Sequence, residues 1–83
     1  MNFKIFWDEK ALSELEKLDI FVARRIAKKV RELESDPLSQ DVARLRGSQE
    51  FRLRVGDYRV IFSLSHQAIE ITKVGHRRNI YKP

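Results

Sequence analysis

The chain has no cysteine, which excludes a disulfide framework and any thiolate metal site and fits a reducing compartment. It has no apolar run of membrane-spanning length, and its first residues lack the pattern of a signal peptide. The expectation is a cytoplasmic protein with no membrane partner. Histidine is also scarce. His66 and His76 stand among scattered carboxylates without ligand spacing, so neither a metal nor another cofactor is expected. Acidic residues are scarce in one half only. Residues 1–41 hold eight Lys/Arg against nine Asp/Glu, whereas residues 42–83 hold nine against three. A cationic excess confined to one half points to a polyanionic partner, although a solvated basic surface gives the same count.

What remains is enough for one small domain, residues 1–83. With 83 residues, 42% of them apolar and 35% charged, the composition is that of a globular chain with a thin core. No internal repeat, low-complexity tract or interdomain linker interrupts it. Phe3, Ile5 and Trp7 alternate with Lys4 and Phe6, the period of a strand. Asp8 is placed to cap a helix, and Ala11, Leu12, Leu15 and Leu18 form one apolar stripe. Asp19 is a second cap. Residues 20–35 predict another helix, with Phe21 or Val22, Ile26, Val30 and Leu33 inward and Arg24, Arg25, Lys28, Lys29, Arg31 and Glu32 outward. Pro37 disfavours helix at Asp36, and residues 37–49 read as a connection.

The last third alternates again. Phe51, Leu53 and Val55 oppose Arg52 and Arg54. Gly56-Asp57 is a two-residue turn. Tyr58, Val60, Phe62 and Leu64 then oppose Arg59, Ile61 and Ser63. Ser65 to Gln67 turn the chain into a strand over residues 68–74. The fold class is α+β: strand, helix, helix, then a three-strand antiparallel meander, with a two-helix hairpin on one face of a small twisted sheet.

The turn fixes a register. With Gly56 and Asp57 as the loop, Val55 faces Tyr58, Arg54 faces Arg59 and Leu53 faces Val60. The second hairpin sets Leu64 against Ile69, Phe62 against Ile71 and Arg59 against Val74, with Lys73 on the helix-covered side. Gly75 lets the chain bend, so that Arg77 emerges near Arg59. Two arginines directly opposed across a hairpin destabilise a sheet by up to about 1 kcal/mol. An anion seated between them reverses that sign, and the planar guanidinium fork suits phosphate. A sheet with one wet face also places arginine there without any ligand.

The strings LRG (45–47), RLRVGDYRVIF (52–62) and VGHRRNIY (74–81), in this order in a short basic chain, resemble the RelE branch of the RelE/ParE toxin superfamily. The resemblance covers most of the chain. It implies the toxin of a type II toxin–antitoxin pair, an mRNA interferase that enters the ribosomal A site and cuts the mRNA there. Carried over residue by residue, the central catalytic arginine falls on Arg59, the second on Arg77 and the C-terminal tyrosine on Tyr81. Arg52, with Arg54 beside it, takes the place of a basic residue on the preceding strand. Arg46, His76 and Arg78 complete the RNA-binding set. Family members can carry lysine where this chain has Glu50 and Arg52, and arginine does not give up its proton, so His76 and Glu50 are the candidates for general base. The 2′-OH is the nucleophile in such cleavage, leaving a 2′,3′-cyclic phosphate and a 5′-OH. The implied partners are a RelB-like antitoxin, mRNA and ribosomal RNA, with operator DNA bound only as the toxin–antitoxin complex. The outward basic face of the second helix suits RNA phosphates or plain solvent. Two other readings share the fold: a ParE-like inhibitor of gyrase, and a non-catalytic nucleic-acid-binding co-repressor.

Overall fold

Alternating apolar residues at both ends of the chain build a single sheet. In the computed structural model, which describes residues 2–81, five strands and two helices follow in the order β1 (Lys4–Trp7), α1 (Glu9–Glu16), α2 (Ile20–Glu32), β2 (Val42–Arg44), β3 (Glu50–Val55), β4 (Tyr58–Ser65) and β5 (Ala68–His76). The spatial order is β1-β5-β4-β3-β2. Only β1 runs parallel to its neighbour, Ile5 lying beside Ile69 and Trp7 beside Ile71. A parallel pair needs a long crossover, and α1 and α2 lie within it. The result is an α+β domain: two helices on one face of an open, mostly antiparallel sheet.

The helices cover the apolar face because each offers a narrow stripe. α1 packs on β5 and α2 on β3. Ala11, Ile26, Val30 and Leu33 meet Leu53, Val55, Val60, Phe62, Ile69, Ile71 and Val74 in one core. Phe51 stacks on Phe62 at 5.5 Å between ring centroids. The Asp19 carboxylate accepts a hydrogen bond from the Phe21 amide at 2.9 Å, a cap that stabilises a helix by about 1 kcal/mol. Asp8 stands at the N-cap of α1 but makes no capping bond through its side chain. α2 ends at Glu32, three residues before the boundary set from Pro37. Of the inward candidates, Val22 packs on the core, while Phe21 is 71% exposed and Leu12 is exposed too. Both lie one helical step, about 100°, off the buried stripe.

Residues 37–49 are not a plain connection. They include β2, which pairs Val42 with Leu53, Ala43 with Arg52 and Arg44 with Phe51. The intervening turn closes through Leu45 N–H to the Glu50 carbonyl at 2.8 Å, with Gly47 at φ +71°. Three residues are too few to show a period. β5 also departs from the expected register. Leu64 faces Ile69 and Phe62 faces Ile71, but the ladder then slips at a bulge, so that Ile61 faces Lys73, Val60 faces Val74 and Arg59 faces Gly75. The extra residue is Thr72, whose hydroxyl donates to the Ile61 carbonyl at 3.3 Å. A bulge reverses side-chain parity beyond it. Lys73 therefore moves to the open face and Val74 enters the core, and the strand runs on through Gly75 to His76.

Candidate functional site

The β3–β4 hairpin holds its expected register, with Arg54 opposite Arg59, Arg52 opposite Ile61 and Val55 opposite Tyr58. Arg52, Arg54 and Arg59 thus rise from adjacent rows of the face that no helix covers. Further along, Glu50 and Glu70 flank Ser63 in a third row. The face is graded, cationic at the Gly56 end and acidic at the other. At the acidic end Glu70 lies against Asp8, and the hydrogen bond between them, with their mutual repulsion, raises the Glu70 pKa above the ordinary glutamate value.

The two opposed arginines avoid each other by turning to different acceptors. Arg59 folds over the hairpin tip and donates through Nη1 to the carbonyls of Gly56 and Tyr58, both at 2.9 Å. Neutral carbonyls leave its full charge available. Arg54 swings towards the sheet edge, where Nη2 lies 3.4 Å from Asp41 Oδ1, and its backbone N–H donates to the Asp41 carbonyl. Asp41 also receives the Lys29 ammonium at 3.3 Å. Lys29 first, and Arg54 after it, hold the Asp41 carboxyl below its ordinary pKa against the opposing effect of desolvation. Arg52 has no carboxylate within 4 Å among the described residues.

The tip also receives β5's continuation. The Arg77 N–H donates to the Asp57 carbonyl at 2.8 Å, and Arg77 Nε stands 3.7 Å from Asp57 Oδ1. Gly56 thus binds Arg59 while its neighbour Asp57 binds Arg77, bringing the two arginines to one two-residue turn. Asp57 was read in the sequence only as a turn residue and Asp41 not at all; neither was expected as an arginine partner. In that role each acts across a tertiary distance, and no local pattern marks the pairing.

The other candidates are distributed unevenly. His76 faces Tyr58 in the ladder and meets its ring edge-on at 5.4 Å, which places it on the helix-covered side rather than with Arg59. Its Nδ1 accepts the Arg78 amide at 3.1 Å, and Arg78 itself is exposed. Glu50 sits four residues from Arg54 along β3, about 13 Å at strand rise, so neither proposed base lies beside Arg59. Arg46 belongs to the β2–β3 turn at the far end of β3 and lines a separate hollow of about 400 Å³ with Arg44 and Gln49. Residues 77–81 fold back as a turn, and a Cβ on Gly75 would come within 3.2 Å of Ile80. That contact places Ile80 over the partner of Arg59 and leaves Tyr81 exposed next to it. Among the described residues, no three His, Asp or Glu stand close enough to hold a metal ion.

The model of the ParE toxin family of type II toxin–antitoxin systems matches residues 5–81. The chain belongs to that family. Its solved neighbours are mostly RelE toxins, which supports the RelE branch of the RelE/ParE superfamily. The archaeal RelE of a RelE–RelB complex from Pyrococcus horikoshii is 29% identical, with a TM-score of 0.82 over 95% of this chain and 99% of that one. The toxin of the intact RelBE complex from E. coli is 26% identical, with a TM-score of 0.75 over 89% and 95%. A YoeB/ParE toxin from Agrobacterium tumefaciens, at 17% identity, shares the fold with a TM-score of 0.78 over 89% and 98%. Among curated proteins no sequence match was found. This type II toxin therefore carries its arginine cluster on a RelE-like sheet, and among its described residues no helix is long and apolar enough to cross a membrane.

Proposed function

We propose that the toxin is a ribosome-dependent mRNA interferase, cutting mRNA in the ribosomal A site by attack of the 2′-OH on the adjacent phosphodiester. The observation that carries this reading is the meeting of Arg59 and Arg77 at the Gly56-Asp57 tip, with Arg52 and Arg54 on the same open sheet. As the 2′-oxygen adds to phosphorus, negative charge grows on the non-bridging oxygens, and fixed cations aimed there lower the barrier. Arg59, held by two carbonyls, keeps that aim without losing its charge. Arg77 serves the phosphate or the departing 5′-oxygen, and Tyr81 stacks on a base. Among the described residues, neither of the two candidate bases, His76 and Glu50, lies beside Arg59. Alignment of the RNA by the ribosome, which supplies geometry as effective concentration, is consistent with that gap.

The partner is a RelB-like antitoxin, as in the RelE–RelB complexes it resembles, neutralising the cluster with an acidic segment. Operator DNA is bound by the pair, and the compartment is the cytoplasm. The test is primer extension on mRNA in programmed ribosomes. Wild type should cut within codons, and Arg59→Ala and Arg77→Ala should each lose 10²-fold or more, on the order of one removed oxyanion contact. Uncut mRNA with wild-type toxin sinks the reading.

A second reading follows from the family model, which is that of ParE. A gyrase inhibitor would leave mRNA intact and raise DNA-damage signalling, and its toxicity would survive Arg59→Ala.

A further inference from the structure

We propose that the cleft between α2 and the β3–β4 hairpin tip is a second phosphate site, taking the RNA backbone as the strand leaves the arginine-bearing face. The inference rests on the reading of the toxin as an RNA-cleaving enzyme. The cleft encloses about 450 Å³, and its charged lining is Arg25, Lys28, Lys29 and Arg54 against Glu32 and Asp41. Four cations face two carboxylates. Both carboxylates are taken up by Lys29, at 3.7 Å from Glu32 and 3.3 Å from Asp41, with Arg54 sharing Asp41. Arg25 and Lys28 have no carboxylate within 4 Å among the described residues.

Arg25 is built into the tip. Its Nη2 lies 2.9 Å from where a Cβ on Gly56 would stand, and the Gly56 carbonyl accepts Arg59 from the open face. One residue is thus touched by a guanidinium from each side of the sheet. A polymer with a phosphate at Arg59 meets Arg25 and Lys28 on rounding the tip, passing one carboxylate, Asp57, which stands 3.7 Å from Arg77 Nε. The apolar lining is limited to Val55 and Gly56, which suits an extended polyanion better than a small apolar ligand. Continuity with the phosphate face favours a polynucleotide over an acidic peptide.

The experiment titrates an end-labelled oligouridylate by fluorescence anisotropy across a range of KCl concentrations. For single strands, each phosphate contact contributes about 0.7 to the slope of log K against log salt. Arg25→Gln with Lys28→Gln should weaken binding and flatten the slope by about 0.7 to 1.4. Glu32→Gln, which removes one of the two carboxylates of the cleft and leaves Lys29 only Asp41 as a partner, should tighten binding. Lys17→Gln removes equal charge outside the cleft and should leave the slope alone. Lys28→Gln by itself keeps the test open if the loss of Arg25 unfolds the tip. An unchanged slope in the cleft variants, or an equal drop in Lys17→Gln, overturns the site. An oligoglutamate that binds the cleft as tightly as the RNA overturns the assignment to a polynucleotide. Arg59→Ala separates the two readings: if it weakens RNA binding while the cleft variants do not, the cleft alone fails. If the cleft variants weaken binding while Arg59→Ala does not, the phosphate site on the open face fails instead.

Discussion

Gly56→Ala isolates the conformation that the arginine cluster depends on. Gly56 has φ +57°, and among the described residues the only non-glycine with positive φ is His66, so Asp57 is on the ordinary side of the Ramachandran map. A positive φ at the first loop residue alone is the signature of a type II′ turn with glycine first. Holding alanine at a positive φ costs about 1–3 kcal/mol. For a domain of this size, 1 kcal/mol corresponds to about 4–8 °C in Tm, so the melting temperature should fall by roughly 4 to 24 °C. Gly47→Ala supplies the comparison. Its φ is +71° and nothing lies within 4 Å of its missing Cβ, so it reports strain alone. At Gly56 the new methyl also meets Arg25 Nη2, the far end of a flexible side chain that can move aside. Thermal melts of both variants, repeated in an Arg25→Ala background, separate strain from displacement. Strain-dominated losses should be similar at the two glycines and little changed by Arg25→Ala. The argument fails if Gly56→Ala melts with wild type, because the turn would then not require its glycine.

Three further changes probe other links. Phe62→Ala removes a fully buried ring and should cost about 3–5 kcal/mol, read as loss of the cooperative chemical-denaturation transition or a large fall in its midpoint. Asp57→Asn removes the carboxylate that competes with phosphate for Arg77 while keeping the backbone bond; it should raise single-turnover cleavage on ribosomes while leaving the melting curve nearly unchanged. Glu70→Gln should raise Tm at neutral pH. Because the folded-state pKa of Glu70 is raised by Asp8, the wild-type penalty is absent below the unfolded glutamate value and complete above the folded one, so the gain in Tm should vanish in acid.

The hairpin that positions Arg54 and Arg59 was legible in the sequence because its signals are local. Strict alternation sets the faces, and Gly56-Asp57 admits one turn. Two corrections came from subtler sources. The bulge at Thr72 has a signature after all: the buried residues run Ile69, Ile71, Val74, a step of two followed by a step of three, which a continuous period-two strand does not produce. β2 has no such mark, since three residues show no period and its pairing with β3 depends on a ladder formed afterwards.

The direction of each guanidinium was not legible, for a reason that bears on how the cluster works. Register alone puts Arg54 against Arg59 and leaves them in conflict. The fold resolves the conflict with acceptors contributed from elsewhere: Asp41, thirteen residues before Arg54, and the Gly56 and Tyr58 carbonyls of the turn itself. The two solutions differ in kind. A carboxylate partner competes with an incoming phosphate, because its charge must be displaced, whereas a carbonyl partner only orients the guanidinium and leaves its charge for the ligand. Arg59 is therefore preorganised for an anion, and Arg54 must exchange one anion for another before it can assist. That asymmetry assigns Arg59 the fixed role at the phosphate and Arg54 an exchangeable one. It also explains why a sheet can hold two opposed arginines in the absence of RNA.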